Sequence, residues 1–280
     1  MTSSANPTLA KSKAESKAAL RATFHQMHAS GTFIIPNPYD IGSARLLEGM
    51  GFTALATTSA GFAGTLGKLD MGITRDELVP HVAALAAAVE VPLNVDAERC
   101  FAETHEGIAE TIELLANAGA AGISIEDWNP NADQIDPLDV ATARVKAAAT
   151  AARARGVVLT ARAENHLHGV TDLADTLNRL RAYLDAGADV IYAPGLTTPD
   201  QIAQVVALGA PVNVLLMPST PSVGELTNRG VRRISTGGAL AAFAQGAMIA
   251  AAQQLLDAGQ YTTGNVRPPQ PLTDHAFRPR

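Results

Sequence analysis

The fold is indicated most clearly by residues 92–127, which read PLNVDAERCFAETHEGIAETIELLANAGAAGISIED. Two short apolar runs, residues 92–97 and 122–127, enclose a segment at 106–118 whose apolar residues recur every three or four positions. Gly119 follows that segment, as is typical of the end of a helix. The stretch therefore predicts a strand, a helix and a second strand, and such a unit makes its two strands parallel neighbours.

The same unit recurs along the chain. Eight β-rich apolar runs are each followed by a helical stretch, and they lie at residues 32–36, 54–59, 92–97, 122–127, 157–164, 190–195, 211–216 and 232–237. Their nearly continuous apolar character indicates strands buried on both faces. Eight such units predict an α/β fold of the (β/α)8 TIM-barrel type. A dinucleotide-binding sheet would need a Gly-rich turn after its first strand, where this chain has Pro36-Asn37-Pro38.

The ends of the chain differ in composition from the repeating part. Residues 1–17 are rich in Ser, Ala and Lys without an apolar signal core, and we expect a polar tail there. Residues 18–258 hold the predicted barrel, and residues 259–280 form a Pro-rich tail. No run of about 18 continuous apolar residues is present, so we expect no membrane span.

Composition excludes several classes of function. A net charge of −6 and an aromatic content of 4% provide neither a basic surface nor stacking platforms, so we expect no nucleic-acid partner. The single cysteine, Cys100, rules out an intrachain disulfide and a multi-cysteine zinc site. A reducing compartment is compatible with this, and we expect a cytoplasmic location.

The predicted strands end in polar residues, and catalytic groups of this fold project from those ends. The ends carry Thr57 to Gly61, Asp96 to Glu98, Glu126 with Asp127, and Arg162 to Asn165. Carboxylates that converge on one barrel mouth repel each other unless a cation or protons intervene, and oxygen ligands suit Mg²⁺. Separate helix caps or ion pairs are the alternative. Arg162 suits a substrate carboxylate, while an ion pair with Glu126 or Asp96 is compatible with that role.

These strand ends resemble the isocitrate lyase/phosphoenolpyruvate mutase superfamily in order and spacing over residues 20–258. The matching runs are TSAG at 58–61, LGKLD at 66–70, VDAE at 95–98, GISIED at 122–127 and ARAE at 161–164. The individual motifs are weak, but the ordered set is fairly specific.

The resemblance implies roles for particular residues. Asp96 corresponds to a direct ligand of Mg²⁺, for which Mn²⁺ could substitute. Three acids would hold metal-bound waters: Asp70, Glu98 and Glu126. A substrate carboxylate would be bound by Thr58, Ser59 and Ala60, and Asn213 is a further candidate if its side chain points inward. Arg162 would stabilise charge on the substrate, and the candidate catalytic residues are Arg162, Glu126 and Asp70.

The chain also departs from that family. Isocitrate and 2-methylisocitrate lyases carry a Cys-Gly-His loop, whereas residues 127–133 read DWNPNAD. Pro194 stands where the lyases have Glu and the mutases have His, and Glu98 stands in place of Asp. The general acid or base is therefore open, with His166, His168 and Cys100 as candidates beside the commoner explanations of a solvated loop and a packed thiol.

The function that these features predict is a Mg²⁺-dependent lyase or hydrolase. Its substrate would be a small 2-oxo or 2-hydroxy (di)carboxylic acid, cleaved at a C–C bond through a pyruvate-like enolate. Phosphonopyruvate hydrolysis or P–C mutation is one alternative, and a non-catalytic barrel that binds a metabolite is another. A phosphate-dependent barrel that uses residues 235–238 is a rival, but it leaves the acid cluster unexplained.

The resemblance also implies assembly. The helix expected at residues 238–256 would exchange with a partner subunit, which gives homodimers that pair into homotetramers. The alternative is an ordinary eighth helix packed on its own strands.

Overall fold

The computed structural model describes residues 7–260 and 267–279, with side chains from residue 15 onward. Eight parallel strands form one sheet in the order β1-β10-β9-β8-β7-β4-β3-β2. They are β1 (Phe33–Ile35), β2 (Leu55–Ala56), β3 (Leu93–Asp96), β4 (Gly122–Glu126), β7 (Val158–Arg162), β8 (Val190–Tyr192), β9 (Val212–Leu215) and β10 (Arg233–Ser235). The Ala56 N–H donates to the Pro36 carbonyl at 3.0 Å, which brings β2 back to the end of β1. The predicted TIM barrel is confirmed.

Helices follow the strands and surround the sheet. They are α1 (Pro7–Met27), α2 (Ile41–Gly49), α3 (Ser59–Thr65), α4 (Arg75–Ala88), α5 (His105–Ala118), α6 (Leu138–Arg155), α7 (Leu173–Asp185), α8 (Pro199–Val206), α9 (Val223–Asn228), α10 (Ala239–Ala258) and α11 (Gln270–Ala276). A two-stranded hairpin, β5 (Trp128–Asn129) with β6 (Gln134–Ile135), lies between β4 and α6. Local chemistry sets several helix starts, as in α4, where Thr74 and Glu77 form a reciprocal capping box.

Alternation along the strands separates two cores. Residues that face outward, such as Val95, Ile123 and Ile234, pack under the helices in one large cluster. The smaller cluster fills the inside of the barrel at its amino end, and its members are Phe24, Ile35, Ala54, Ala56, Ala121, Val158 and Val190. The amino end of the interior is therefore apolar, and Ile35 and Ala56 extend this apolar surface to the cavity at the carboxyl ends of the strands.

Helix α1 closes the amino end. A Cβ atom at Gly122 would lie 2.4 Å from the Phe24 ring, so glycine is what allows this close approach. Arg21 donates from Nε to the Ala120 carbonyl and from Nη1 to the Arg155 carbonyl, at 3.2 and 2.9 Å. The helix is thus both packed and hydrogen-bonded to the barrel.

The two tails are more ordered than the sequence predicts. Helix α1 begins at Pro7, so a large part of the expected polar tail is helical. Helix α11 lies in the expected Pro-rich tail and packs on α2, where a Cβ at Gly49 would be 3.3 Å from Ala276. This part of the tail therefore lies on the outer surface of the barrel, where Gly49 leaves room for Ala276. Residues 1–6, 261–266 and 280 lie outside the described residues.

Helix α10 leaves its apolar side chains uncovered. Ala241 is buried against Gly61 of α3, whereas Phe243 and Leu256 are 71% and 82% exposed. In the single chain the helix contacts α3 and leaves most of its surface uncovered. By length and composition alone α10 could cross a membrane; buried core helices of soluble proteins pass the same test, and 6% of the apolar window of α10 is buried.

Candidate active site

A cavity of about 180 Å³ opens at the carboxyl ends of the strands. Its lining includes most of the predicted site residues, namely Thr58, Ser59, Ala60, Asp70, Asp96, Arg162 and Asn213. Glu98 instead lines a neighbouring pocket of about 480 Å³ with Met71 and Arg99. Glu126 reaches the mouth through its contact with Arg162.

Arg162 is held by carboxylates on three sides. Its Nη1 lies 2.8 Å from Asp96 Oδ1 and 3.2 Å from Glu126 Oε2, and its Nε lies 2.8 Å from Glu164 Oε1. The guanidinium carbon is 5.3 Å from the centre of the Tyr192 ring. The acids, led by Glu164, raise the pKa of Arg162 despite its burial, so the side chain is a fixed cation. The ion pairs of Arg162 with Asp96 and Glu126, which the sequence offered as one of two roles for this residue, are present.

Asp96 is bound from a second direction by the start of α3. Ser59 donates to Asp96 Oδ2 from its backbone N–H at 3.2 Å and from its hydroxyl at 2.9 Å. Thr58 is the N-cap residue of α3 and accepts from the Gly61 N–H. The two donors of Ser59 in the expected carboxylate-binding run therefore point at a carboxylate, which in this structure is that of Asp96.

The remaining acids are held in environments that favour their protonated forms. Burial, followed by the charges of Asp96 and Asp70, raises the pKa of Glu98 to about 8. Its Oε1 is buried without a hydrogen-bond partner, and its φ of 46° lies in the left-handed region. Burial also raises the pKa of Glu126 well above its ordinary value. At Asp70, desolvation is the leading cause of a raised pKa.

These acids fit a hard divalent cation. Within residues 7–260 and 267–279, no three His, Cys, Asp or Glu side chains lie close enough to enclose a metal by themselves. Mg²⁺ requires no such cage, because it commonly takes one or two carboxylates and keeps several waters. A cation at Asp96 would offset the repulsion that raises the pKa of Glu98 and would offer a partner for its buried oxygen. The donor set is compatible with Mg²⁺ or Mn²⁺.

The hairpin β5–β6 contains most of the stretch 127–133 and is anchored by a buried ion network. Asp136 accepts from Arg99 Nε at 2.8 Å, and its backbone carbonyl accepts from Arg179 Nη1 at 2.9 Å. Asp127 accepts from the Tyr183 hydroxyl at 2.6 Å. The hairpin is therefore anchored at both of its ends, and its turn residues Pro130 and Asn131 line the same neighbouring pocket as Glu98.

The three candidates for acid or base chemistry are placed differently. The His168 ring stacks on Trp128 with centroids 3.5 Å apart, and burial lowers its pKa, so the neutral ring suits a base better than an acid. His166 packs against the segment that follows β8, where a Cβ atom added at Gly195 would lie 2.9 Å from the Cβ atom of His166. Cys100 is fully buried, and burial raises the pKa of its thiol to about 12, so a thiolate is not available.

The backbone N–H groups that follow β10 already donate hydrogen bonds within the protein. The N–H groups of Thr236 and Gly237 both donate to Asn37 Oδ1 at 2.9 Å. A phosphate at this turn would have to displace Asn37, and the rival phosphate-dependent barrel therefore loses its main support.

Sequence reasoning missed Arg233, which lines the mouth cavity from inside the barrel. It also left the direction of Asn213 open, and the structure turns that side chain inward, where it donates to Ser235 Oγ at 2.9 Å. A charged residue inside a predicted buried strand was the available signal for Arg233. Its direction depends on strand register, which spacing alone does not fix.

The site and fold agree with comparisons to known proteins. The chain belongs to the phosphoenolpyruvate phosphomutase family, whose model matches residues 24–256. An oxaloacetate decarboxylase from Bradyrhizobium sp. (strain ORS 278) is 32% identical over 204 residues, which cover 69% of this chain and 70% of the relative.

Two solved structures extend the comparison. A candidate lyase/mutase from Burkholderia cenocepacia J2315 is 46% identical with a TM-score of 0.89, and the match covers 94% of this chain and 97% of that one. Oxaloacetate acetylhydrolase with its product oxalate is 25% identical with a TM-score of 0.81, covering 93% and 94%. The predicted membership of the isocitrate lyase/phosphoenolpyruvate mutase superfamily, and of its enzyme class, is confirmed.

Proposed function

We propose that this protein is a Mg²⁺-dependent lyase or hydrolase that cleaves a C–C bond of a small 2-oxo or 2-hydroxy dicarboxylic acid through a pyruvate-like enolate. The observation that carries the proposal is the meeting of Asp96, Arg162 and the start of α3 at one cavity. Cation, guanidinium and N–H donors are the groups that a 2-oxo carboxylate requires.

The chain's own residues would bind and orient the substrate. Ala60 would offer its N–H group at the start of α3 to a carboxylate, since the first N–H groups of a helix have no partner within it. The Ser59 N–H and hydroxyl already donate to Asp96, so Ser59 would bind the substrate by exchanging those hydrogen bonds. Arg162 is a fixed cation beside the reacting oxygens and would stabilise the charge that develops there. The metal, when bound, would supply Lewis-acid polarisation of the 2-oxo group.

The relatives support the substrate class. Oxaloacetate is named in both the decarboxylase and the acetylhydrolase described above, and in both a C–C bond of a 2-oxo dicarboxylate is the one to break. Oxaloacetate and methylated malates are therefore the first substrates to test. Phosphonopyruvate chemistry is the second candidate, and the match to the phosphoenolpyruvate phosphomutase family favours it.

Titration calorimetry with pyruvate and oxalate, with Mg²⁺ and then with a chelator, tests the proposal. We expect binding that requires the metal and that is lost in Asp96→Asn. Asp185→Asn, at an exposed position at the end of α7, is the matched control and should bind as the unsubstituted protein does. Binding that persists in Asp96→Asn would remove the metal site from the proposal.

A panel of 2-oxo, 2-hydroxy and phosphono acids, followed by product detection, identifies the reaction. Conversion of a phosphono acid alone would favour the second candidate. Tight binding with no product from any acid would favour a metabolite-binding barrel without turnover.

We further propose a homodimer, which can pair into a homotetramer, in which α10 docks on a partner subunit. The exposed Phe243, Ile249 and Leu256 support this, because several large apolar side chains on one helix are rarely left in water. Sedimentation equilibrium should give a dimer or tetramer, and Phe243→Glu should shift it towards monomer. A monomer at micromolar concentration in the unsubstituted protein would contradict the assembly.

The single unpaired cysteine supports a cytoplasmic location.

A further inference from the structure

Arg233 lies inside the barrel, two residues before Ser235, the last residue of β10 at the mouth. It is the first residue of β10, and its side chain points inward beside Asn213, its neighbour in register on β9. The residue is 3% exposed and lines the floor of the mouth cavity together with Asn94. A cation is thus buried directly beneath Asp96 and Arg162.

All the hydrogen-bond partners recorded for this guanidinium are neutral. Its Nε donates to Asn213 Oδ1 at 2.9 Å, its Nη2 to Thr160 Oγ1 at 2.9 Å and its Nη1 to Asn94 Oδ1 at 3.5 Å. Three of the five N–H donors of an arginine are used in this way. One N–H on each terminal nitrogen remains for another acceptor.

Arg233 differs in this respect from the other deeply placed arginines. In the part of the chain that the structure describes, Arg99, Arg144, Arg162 and Arg179 each lie within 4 Å of a carboxylate, whereas no such ion pair involves Arg233. Burial and repulsion from Arg162 lower the pKa of Arg233 to about 10, so it stays charged near neutral pH. A buried charge without a counter-charge is costly, which points to an anion that arrives from outside.

We propose that Arg233 and its neutral neighbours form a carboxylate-binding subsite on the cavity floor, which selects substrates that carry two carboxylates. The inference rests on the proposed function, because the other carboxylate is bound at the mouth. The cavity joins the two positions, since Thr58 and Asp96 line its upper part and Arg233 its floor. Asn94 and Asn213 orient the guanidinium without neutralising it.

A purely structural role is the competing explanation, in which Arg233 only fills the barrel and ties four strands together. The two roles differ in what a counter-charge would do. Asn213→Asp would place a carboxylate beside the Arg233 Nε with almost no change of shape. A structural arginine would then gain an ion pair and leave the ratio of dicarboxylate to pyruvate affinity unchanged, whereas a binding arginine would lose its attraction for the second carboxylate and this ratio would fall.

Calorimetric titrations at saturating Mg²⁺ test the subsite. Pyruvate and ketomalonate are the matched probes, since ketomalonate replaces the methyl group of pyruvate by a second carboxylate, and 2-oxoglutarate extends the series. We expect the unsubstituted protein to bind the better dicarboxylate at least roughly 10-fold more tightly than pyruvate. Arg233→Gln should weaken dicarboxylate binding roughly 10- to 100-fold, as loss of a charged hydrogen-bond donor implies, and change pyruvate binding much less.

Two further variants separate binding from folding. Asn213→Asp should also weaken dicarboxylate binding while its unfolding temperature stays equal or rises, and this variant decides the question if Arg233→Gln does not fold. Arg21→Gln is the matched control, because Arg21 also donates to neutral carbonyls but at the opposite end of the barrel. It should lower stability and leave the dicarboxylate preference intact.

The failures are distinguishable. Mg²⁺-dependent binding of pyruvate without any preference for dicarboxylates would overturn the subsite and leave the proposed function standing. A preference that survives in both Arg233→Gln and Asn213→Asp would do the same. If the unsubstituted protein binds no probe in the presence of Mg²⁺, the proposed function fails and the subsite fails with it.

Discussion

The two ends of the barrel are built from the same strands. They differ in the side chains that those strands direct into the barrel. On β7 the inward residues are Val158, Thr160 and Arg162, which run from an apolar plug to a charged mouth within five residues. At the amino end Phe24 fills the interior, and at the carboxyl end a cavity holds the acids. Stability and chemistry can therefore be perturbed separately, since the fold places them at opposite ends of each strand.

The largest expected effect is on stability and comes from the amino end. Phe24→Ala would empty a fully buried site and should lower the free energy of unfolding by about 3–5 kcal/mol. Urea denaturation measures the loss, and ligand titration of the folded fraction should be unchanged. Phe277→Ala, at an exposed phenylalanine, is the matched control and should cost about 0.5 kcal/mol or less. A comparable loss of ligand binding in Phe24→Ala would show that the two ends are coupled.

The next effect is on turnover and comes from the mouth. Arg162→Ala should reduce kcat/KM by roughly 10² or more on the substrate that the panel identifies, because a preorganised cation next to the reacting oxygens is lost. Steady-state kinetics measure it, with Arg153→Ala on the exposed surface of α6 as control. An unchanged kcat with a raised KM would instead assign Arg162 to ground-state binding alone.

The smallest effect concerns pH dependence in the metal-free protein. The pKa of Glu98 is raised to about 8 in the folded state, so the folded state binds its proton more tightly than the unfolded state does. Stability should therefore fall as pH rises from the ordinary range of a glutamate towards 8. Glu98→Gln should flatten this dependence and stabilise the protein at pH 8, because the variant has no buried charge to form as the pH rises. Denaturation curves across that range test it, and an equally steep fall in the variant would exclude Glu98 as the cause.

The sequence predicts the part of the molecule that local pattern controls. All eight barrel strands lie inside their predicted runs, because apolar runs alternate with helical spacing. The predicted strand at 54–59 is longer than β2 (Leu55–Ala56), since Thr58 caps α3 and ends the strand early. Element type was thus easier to predict than element ends.

What the sequence could not give depends on contacts between distant residues. The inward direction of Asn213 and Arg233 follows from register between β9 and β10. The docking of α11 on α2 depends on the small residue Gly49, and the hairpin depends on Arg99 and Arg179 reaching Asp136. None of these has a local signature in the spacing of apolar residues.

Helix α1 has a consequence for the order in which the chain is completed during synthesis. The surface that receives Phe24 includes Val158 and Val190, which belong to the fifth and sixth barrel strands and leave the ribosome long after the helix itself. At roughly 5–20 residues per second, the first helix waits on the order of ten seconds for its binding surface. A segment that is made before all the barrel strands is thus among the last to dock, and the barrel is sealed at its amino end only when most of its strands exist.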